Sequence, residues 1–233
     1  KGEDPQSLSG DSVTALCEDS QGMLWIGTET GGLNALDTTS RAPTFIRYQH
    51  EGDNPHSLSH NYVTTLLRDS AGTLWAGTGY GLNELETGAK RFRRHYHQEG
   101  NPASLSDSEI LSLTEDMQGI LWIGTRLGLN KLDRSTRAFG HFRREGEADS
   151  ALSGNLVTAF LEDAQGWLWV GGLRHGLDRS TTDDTLTGFI HFQHCEDDPH
   201  SLGDLLALLP DDRPQLLADI CVLAMCEDFQ GRI

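Results

Sequence analysis

A tryptophan-centred segment that returns every 47 to 50 residues, an Asp-x-x-Gly turn ahead of each tryptophan, and no sustained 3.6-residue apolar period up to about residue 200 predict an all-β fold. The period is that of a four-stranded propeller blade, so the expected architecture is a β-propeller of four-stranded antiparallel blades. The expected extent is a partial ring of four repeats plus one strand of a fifth. Aligned on tryptophan, the copies read LWIGTETGGLNALD (24–37), LWAGTGYGLNELE (74–86), LWIGTRLGLNKLD (121–133) and LWVGGLRHGLDRS (168–180).

Each unit divides into four short strands. The first is VTALCED (13–19), repeated as VTTLLRD, ILSLTED, VTAFLED and VLAMCED. Strict alternation along it places Val13, Ala15 and Cys17 on one face and Thr14, Leu16 and Glu18 on the other, both partly apolar, as a strand between neighbouring sheets requires. Asp and Gly at the first and fourth places of DSQG, DSAG, DMQG and DAQG predict a type I turn into the second strand, LWIGT. Glycine and asparagine then permit a second reversal into LNALD. The fourth strand is aromatic and basic: FIRYQH (45–50), FRRHYH (92–97), FGHFRR (139–144) and FIHFQH (189–194). Polar connectors such as DPQSLSGDSV join the units, and Leu8, Leu58, Leu105, Leu152 and Leu202 recur in them as a plug between blades. The repeats fall at approximately 8–57, 58–104, 105–151 and 152–201, with a leucine-rich insertion at 203–218 and the first strand of a next blade at 220–228. Exposed edges of such an array favour oligomerisation.

Composition excludes several classes. The 233 residues hold 35 acids against 18 bases, a formal charge of -17 that repels nucleic acid and anionic headgroups. No apolar run approaches the roughly 20 residues of a spanning helix, so no membrane segment is expected in this stretch. The four cysteines, Cys17, Cys195, Cys221 and Cys226, are irregularly spaced and read as structural.

The combination SLSxNxVxxLxEDxxGxLWIGTxxGLNxLD, nearly whole at 57–86 and 104–133, resembles the two-component regulator propeller repeat. That resemblance implies the extracytoplasmic sensor region of a bacterial hybrid histidine kinase or a related membrane signalling protein such as a diguanylate cyclase. It further implies a seven-bladed ring, often two in tandem, then a β-sandwich, a transmembrane helix and a cytoplasmic output domain. The fourth unit departs most, with Gly172 in place of Thr and Asp178 in place of Asn.

Letters shared by all copies belong to the scaffold; unshared letters at fixed positions are where a ligand is chosen. GTGYGLNELETG (77–88) lacks the spacing of a nucleotide loop and leads into a strand. The Glu-Asp pairs recur at a turn, as capping groups do. His95 and His97 lack a third metal ligand, and the basic run KRFRRHYH (90–97) suits a protected sheet edge. No catalytic residue, metal or cofactor is therefore expected. Connectors and second-to-third turns emerge on one face, which gathers Glu29, Tyr80, Arg126, Arg174 and His175 beside Asn61 and Asn155. Arg, Tyr, His and Asn together suit a carbohydrate or other small-molecule ligand. The expected function is thus an extracytoplasmic ligand-sensing or binding module, not an enzyme, whose partners are the remaining blades and signalling domains of an intact chain. Two other readings stay open to the sequence: a propeller hydrolase or lyase of polysaccharide using Asp11, Glu29, Asp107 or His175, and a protein-interaction scaffold.

Overall fold

A computed structural model of the chain describes residues 7–41, 44–86, 90–144, 151–172, 175–181 and 188–192. They form sixteen strands in four antiparallel sheets, each of four strands hydrogen-bonded in sequence order. Blade 1 holds β1 (Val13–Glu18), β2 (Met23–Thr28), β3 (Leu33–Asp37) and β4 (Phe45–Tyr48). Blade 2 holds β5 (Val63–Arg68), β6 (Leu74–Thr78), β7 (Gly81–Leu85) and β8 (Phe92–His95). Blade 3 runs through β9 (Ile110–Glu115), β10 (Leu121–Thr125), β11 (Gly128–Asp133) and β12 (Ala138–Phe142). Blade 4 has β13 (Val157–Glu162), β14 (Leu168–Gly172), β15 (Gly176–Ser180) and β16 (Phe189–Phe192). The first strands of successive blades pack side by side, so they form the hub of an open arc and the fourth strands its rim. The insertion 203–218, the next first strand 220–228, Leu202 and the last three cysteines lie outside the described residues.

The Asp-x-x-Gly hairpin closes as expected and goes one step further. Gly22 N–H donates to Asp19 O at 3.1 Å and Asp19 N–H to Met23 O at 2.9 Å, with Gly22 at φ 79°, so a type I turn is followed by a glycine bulge. The aspartate then becomes a keystone. Asp69 Oδ1 accepts from Thr73 N–H at 2.7 Å and Oδ2 from the Trp75 indole at 2.8 Å, and Asp19, Asp116 and Asp163 hold Trp25, Trp122 and Trp169 likewise. Burial opposes ionisation of Asp19, but the N–H groups of Met23 and Gln21, the Trp25 indole and Arg68 together hold its carboxyl below the usual range.

Strict alternation in the first strand is interrupted. Val13 pairs Thr28 while Ala15 pairs Gly27, so Thr14 is a bulge residue; the same shift falls at Thr64, Leu111 and Thr158. The bulge turns a hydroxyl sideways to the next blade: Thr14 Oγ1 donates to Val63 O at 2.5 Å and Thr64 Oγ1 to Ile110 O at 2.7 Å. Where blade 3 has Leu111, the adjoining Ser112 reaches Val157 O at 3.3 Å instead. Beside this joint Gly77 must be glycine, because a Cβ there would stand 2.6 Å from both Ile110 Cγ2 and Thr65 Cγ2.

Each seam is filled by an aromatic ladder. Trp25 leans on Tyr48 (centroids 5.8 Å apart), whose edge meets Phe92 of the next blade at 5.6 Å; Trp75–His95–Phe139 and Trp122–Phe142–Phe189 repeat the pattern. With Leu58, Leu105 and Leu152 buried as plugs, each such side chain contributes about 1.5–3 kcal/mol by leaving water. In the first three blades the fourth strands end sooner than their sequence pattern suggested, at Tyr48, His95 and Phe142. The chain there leaves its neighbour strand because His50, His97 and Arg144 N–H bond the next connector, at Asn61 Oδ1 (2.7 Å), Ser108 Oγ (3.0 Å) and Asn155 Oδ1 (2.7 Å).

Candidate functional site: the loop face

Pairing register fixes which loops share a face. Val13 opposes Thr28 and Gly27 opposes Leu33, so the start of each first strand and the second-to-third turn lie at the same end of the blade. Glu29 N–H donates to Ser12 O at 3.0 Å and Gly79 N–H to Tyr62 O at 2.9 Å, tying turn to leader within a blade. The turn is also tied forward: Gly32, Gly81 and Gly128 N–H donate to Asn61, Ser108 and Asn155 O at 2.9, 2.6 and 2.7 Å.

Beneath the turns lies a buried polar knot. In blade 2, Asn83 Oδ1 accepts from Ser59 N–H at 2.8 Å, its Nδ2 donates to Ser59 Oγ at 2.7 Å and Ala76 O at 3.0 Å, and Ser59 Oγ meets Thr78 Oγ1 at 2.9 Å. Ser106, Thr125 and Asn130 repeat it in blade 3. Blade 4 rebuilds the knot around its odd letters: Asp178 Oδ2 accepts from Ser153 N–H and Oγ at 3.0 Å, and Asp178 Oδ1 lies 2.6 Å from His191 Nδ1. Thus the Gly172 and Asp178 substitutions preserve the attachment of connector to strand.

Of the residues singled out by sequence, Glu29, Tyr80 and Arg126 are exposed on this face. Tyr80, 58% exposed, stacks on Tyr96 at 5.5 Å and 42°. Arg126 Nη1 pairs Glu109 Oε2 at 3.1 Å across solvent, worth about 0–1 kcal/mol, so the guanidinium stays available. His175 lies on Gly154, whose missing side chain makes room for the ring, and its carbonyl accepts from Ser153 Oγ at 2.9 Å. Asn61 and Asn155 stand at the base of the face with their oxygens holding the next-blade joints, so they shape the surface from below. Arg174 lies outside the described residues.

The structure adds residues that sequence reasoning passed over. Tyr62 and His60 cover Gly79, where a Cβ would come within 3.2 Å of the Tyr62 ring and 3.3 Å of His60 Nδ1. With Tyr80 and Tyr96 they make an aromatic group on blade 2, next to the Arg126–Glu109 pair and exposed Leu127 of blade 3. Tyr62 stands where the connectors differ most, which was the available signal. Asp107, weighed as a catalytic acid, accepts from Glu109 N–H at 2.7 Å. The Glu-Asp carboxylates lie at the opposite end: Glu115 holds Ser70 of the preceding turn, and Glu162 holds Met117 N–H. Burial pushes the Glu162 carboxyl up, against the lowering effect of Met117 N–H. Among the described residues no three His, Cys, Asp or Glu side chains are grouped as metal ligands, and no helix is long and apolar enough to cross a membrane.

Comparison with known proteins places these observations. The two component regulator propeller family matches residues 7–30, 57–80, 104–126 and 151–174, one stretch per blade. The structure is similar to the extracellular domain assigned to a hybrid two component system of B. thetaiotaomicron, with 28% identity and a TM-score of 0.70, covering 81% of this chain and 25% of that one. A second such extracellular domain from B. thetaiotaomicron has 20% identity and a TM-score of 0.68, with 98% and 26% covered. Virginiamycin B lyase from Staphylococcus aureus shares the fold at 11% identity and a TM-score of 0.56, covering 84% of this chain and 58% of the lyase. The chain spans about a quarter of the length of the first two. Curated proteins give no match. Four matched stretches falling on four equivalent sheets identify the chain as one built of two component regulator propeller repeats.

Proposed function

We propose that the chain is a ligand-receiving part of an extracytoplasmic bacterial sensor, with its loop face as the receiving surface. One observation carries the reading: shared polar letters of the repeat are consumed in joints between strands and blades, whereas Tyr80, Arg126 and Glu29 remain exposed at unshared positions of the second-to-third turns. Tyr80 and Tyr96 offer ring faces, and Arg126 offers a planar fork of donors, a combination suited to the apolar face and hydroxyl or carboxylate edge of a sugar. His175 extends that set onto blade 4, with Asn61 and Asn155 fixing the height of the turns. Similarity to extracellular domains of hybrid two component systems supports a position outside the inner membrane, with remaining blades and signalling domains supplied by the intact protein. Of the acids that the hydrolase or lyase reading would use, Asp107 is engaged by Glu109 N–H within its own connector, which weighs against that reading.

Isothermal titration of the full-length protein with neutral and acidic oligosaccharides tests this. Saturable binding without turnover is expected, weakened about tenfold by Arg126→Ala and several-fold by Tyr80→Ala. Binding that neither substitution changes, or hydrolysis of the panel, overturns it.

A further inference from the structure

The seam between blades 2 and 3 is closed at its outer end by two arginines of blade 3. Arg134 bridges Asp69 Oδ2 (2.9 Å) and Glu115 Oε1 (2.7 Å), and Arg137 reaches Glu84 Oε2 at 2.8 Å. The repeat register shows what stands at those places in the seam between blades 1 and 2. In the aligned letters Arg68 replaces Glu115, Ala35 replaces Glu84, and Lys90 replaces Arg137. Arg68 turns to Ser20 Oγ at 3.0 Å, and the letter aligned with the carboxylate partner of Arg137 is an alanine.

This seam consequently stays open. Two clefts of about 430 and 450 Å³ lie along it, and both are lined by Tyr48 and Lys90. Each is large enough for a small molecule. The acids along them are committed: Asp19 to the N–H groups of Gln21, Met23 and Trp25, Glu86 to Arg93, and Glu51 to Asn54. Lys90 and Arg91 are exposed and have no carboxylate at ion-pair distance among the described residues. Two uncommitted cations beside a tyrosine ring stand out in a chain of formal charge -17. Tyr48, held between Trp25 and Phe92, presents a fixed flat wall.

We propose that the cleft of about 430 Å³ between blades 1 and 2, lined by Tyr48, Lys90 and Arg91, binds a small organic anion with a flat apolar body, its acid group on Lys90 and Arg91 and its body against Tyr48. The site is separate from the loop face and independent of the function proposed for it. A negative group there restores the charge pairing that Glu84 supplies to Arg137 one seam further on.

Titrating the full-length protein with benzoate, 2-naphthoate and 2-naphthalenesulfonate tests the proposal, with 2-naphthamide as neutral comparison. At least one acid is expected to bind saturably, the amide at least tenfold more weakly. Lys90→Ala should weaken the acid about tenfold and Lys90→Glu should abolish binding, while Arg126→Ala on the loop face leaves it unchanged. Lys90 is exposed, so neither Lys90 variant is expected to unfold the chain. Failure of all three acids to bind, equal binding of acid and amide, or loss with Arg126→Ala but not Lys90→Ala overturns it.

Discussion

Removing the carboxylate of Asp69 should cost far more than removing that of Asp19, although both occupy the same letter of the repeat. Asp69 is buried and accepts from Thr73 N–H, the Trp75 indole and Arg134. Asp69→Ala leaves a buried indole N–H and a backbone N–H without partners and strands the Arg134 guanidinium. Unsatisfied buried donors cost about 1–3 kcal/mol each and a partly exposed ion pair about 1, so a loss of about 4 kcal/mol is expected. Asp19 is half-buried, keeps Trp25 at the longer distance of 3.2 Å, and has no counterpart of Arg134. Asp19→Ala should therefore cost about 1–2 kcal/mol, since water can replace much of what is lost. Urea unfolding of both variants and the parent measures this, with the slope of the transition watched because linear arrays can unfold in parts. Equal losses, or a loss at Asp69 below that at Asp19, would refute the claim that the arginine-closed seam is the tighter one.

Three further outcomes follow from the same joints. His95, 3.5 Å away, and then the Arg137 and Arg93 guanidinium groups hold the Glu84 carboxyl down to about 2 from 4.5, against the effect of burial. That stability is present above pH 4.5 and is lost as pH falls toward 2; allowing for solvent screening it is about 1–2 kcal/mol, and Glu84→Gln should remove this part of the acid limb in a pH series of urea midpoints. Gly77→Ala should destabilise by about 2 kcal/mol through overpacking against Ile110, whereas Gly52→Ala, with open space around the added carbon, should be neutral in the same assay. Thr64→Val should lose about 1 kcal/mol by leaving Ile110 O without its cross-blade donor.

Much of the scaffold could be read from the letters because it depends on local chemistry repeated at fixed spacing. The Asp-x-x-Gly turn, the strand order and the buried leucine of each connector are properties of a few adjacent residues and their period. The bulge at Thr14 was not legible, because its cause is an acceptor, Val63 O, that belongs to the next blade. The basic fourth strand was legible as an edge but not as a clamp: Arg94 spends its guanidinium on the carbonyls of Ser57, Asn54 and Leu58. For the loop face, Tyr80 and Arg126 were visible as unshared letters; Tyr62 and Glu109 share an equally variable connector position, but their nearness to the turns emerges only once register brings connector and turn together. Asn61 and Asn155 could have been recognised as joint residues from their recurrence with Ser108 at one position of the period.

Among the described residues, the couplings between blades that main-chain N–H and hydroxyl groups donate run the same way. Thr14, Gly32 and Ser70 give protons, and their recipients, Val63, Asn61 and Glu115, always sit one blade further along the chain. Such a joint has a polarity, like a row of hooks that each meet the following eye. A duplicated unit inherits a hook for its successor and an eye for its predecessor, so genes can lengthen the array by copying without inventing an adaptor, and a unit spliced in backwards finds nothing to fasten to.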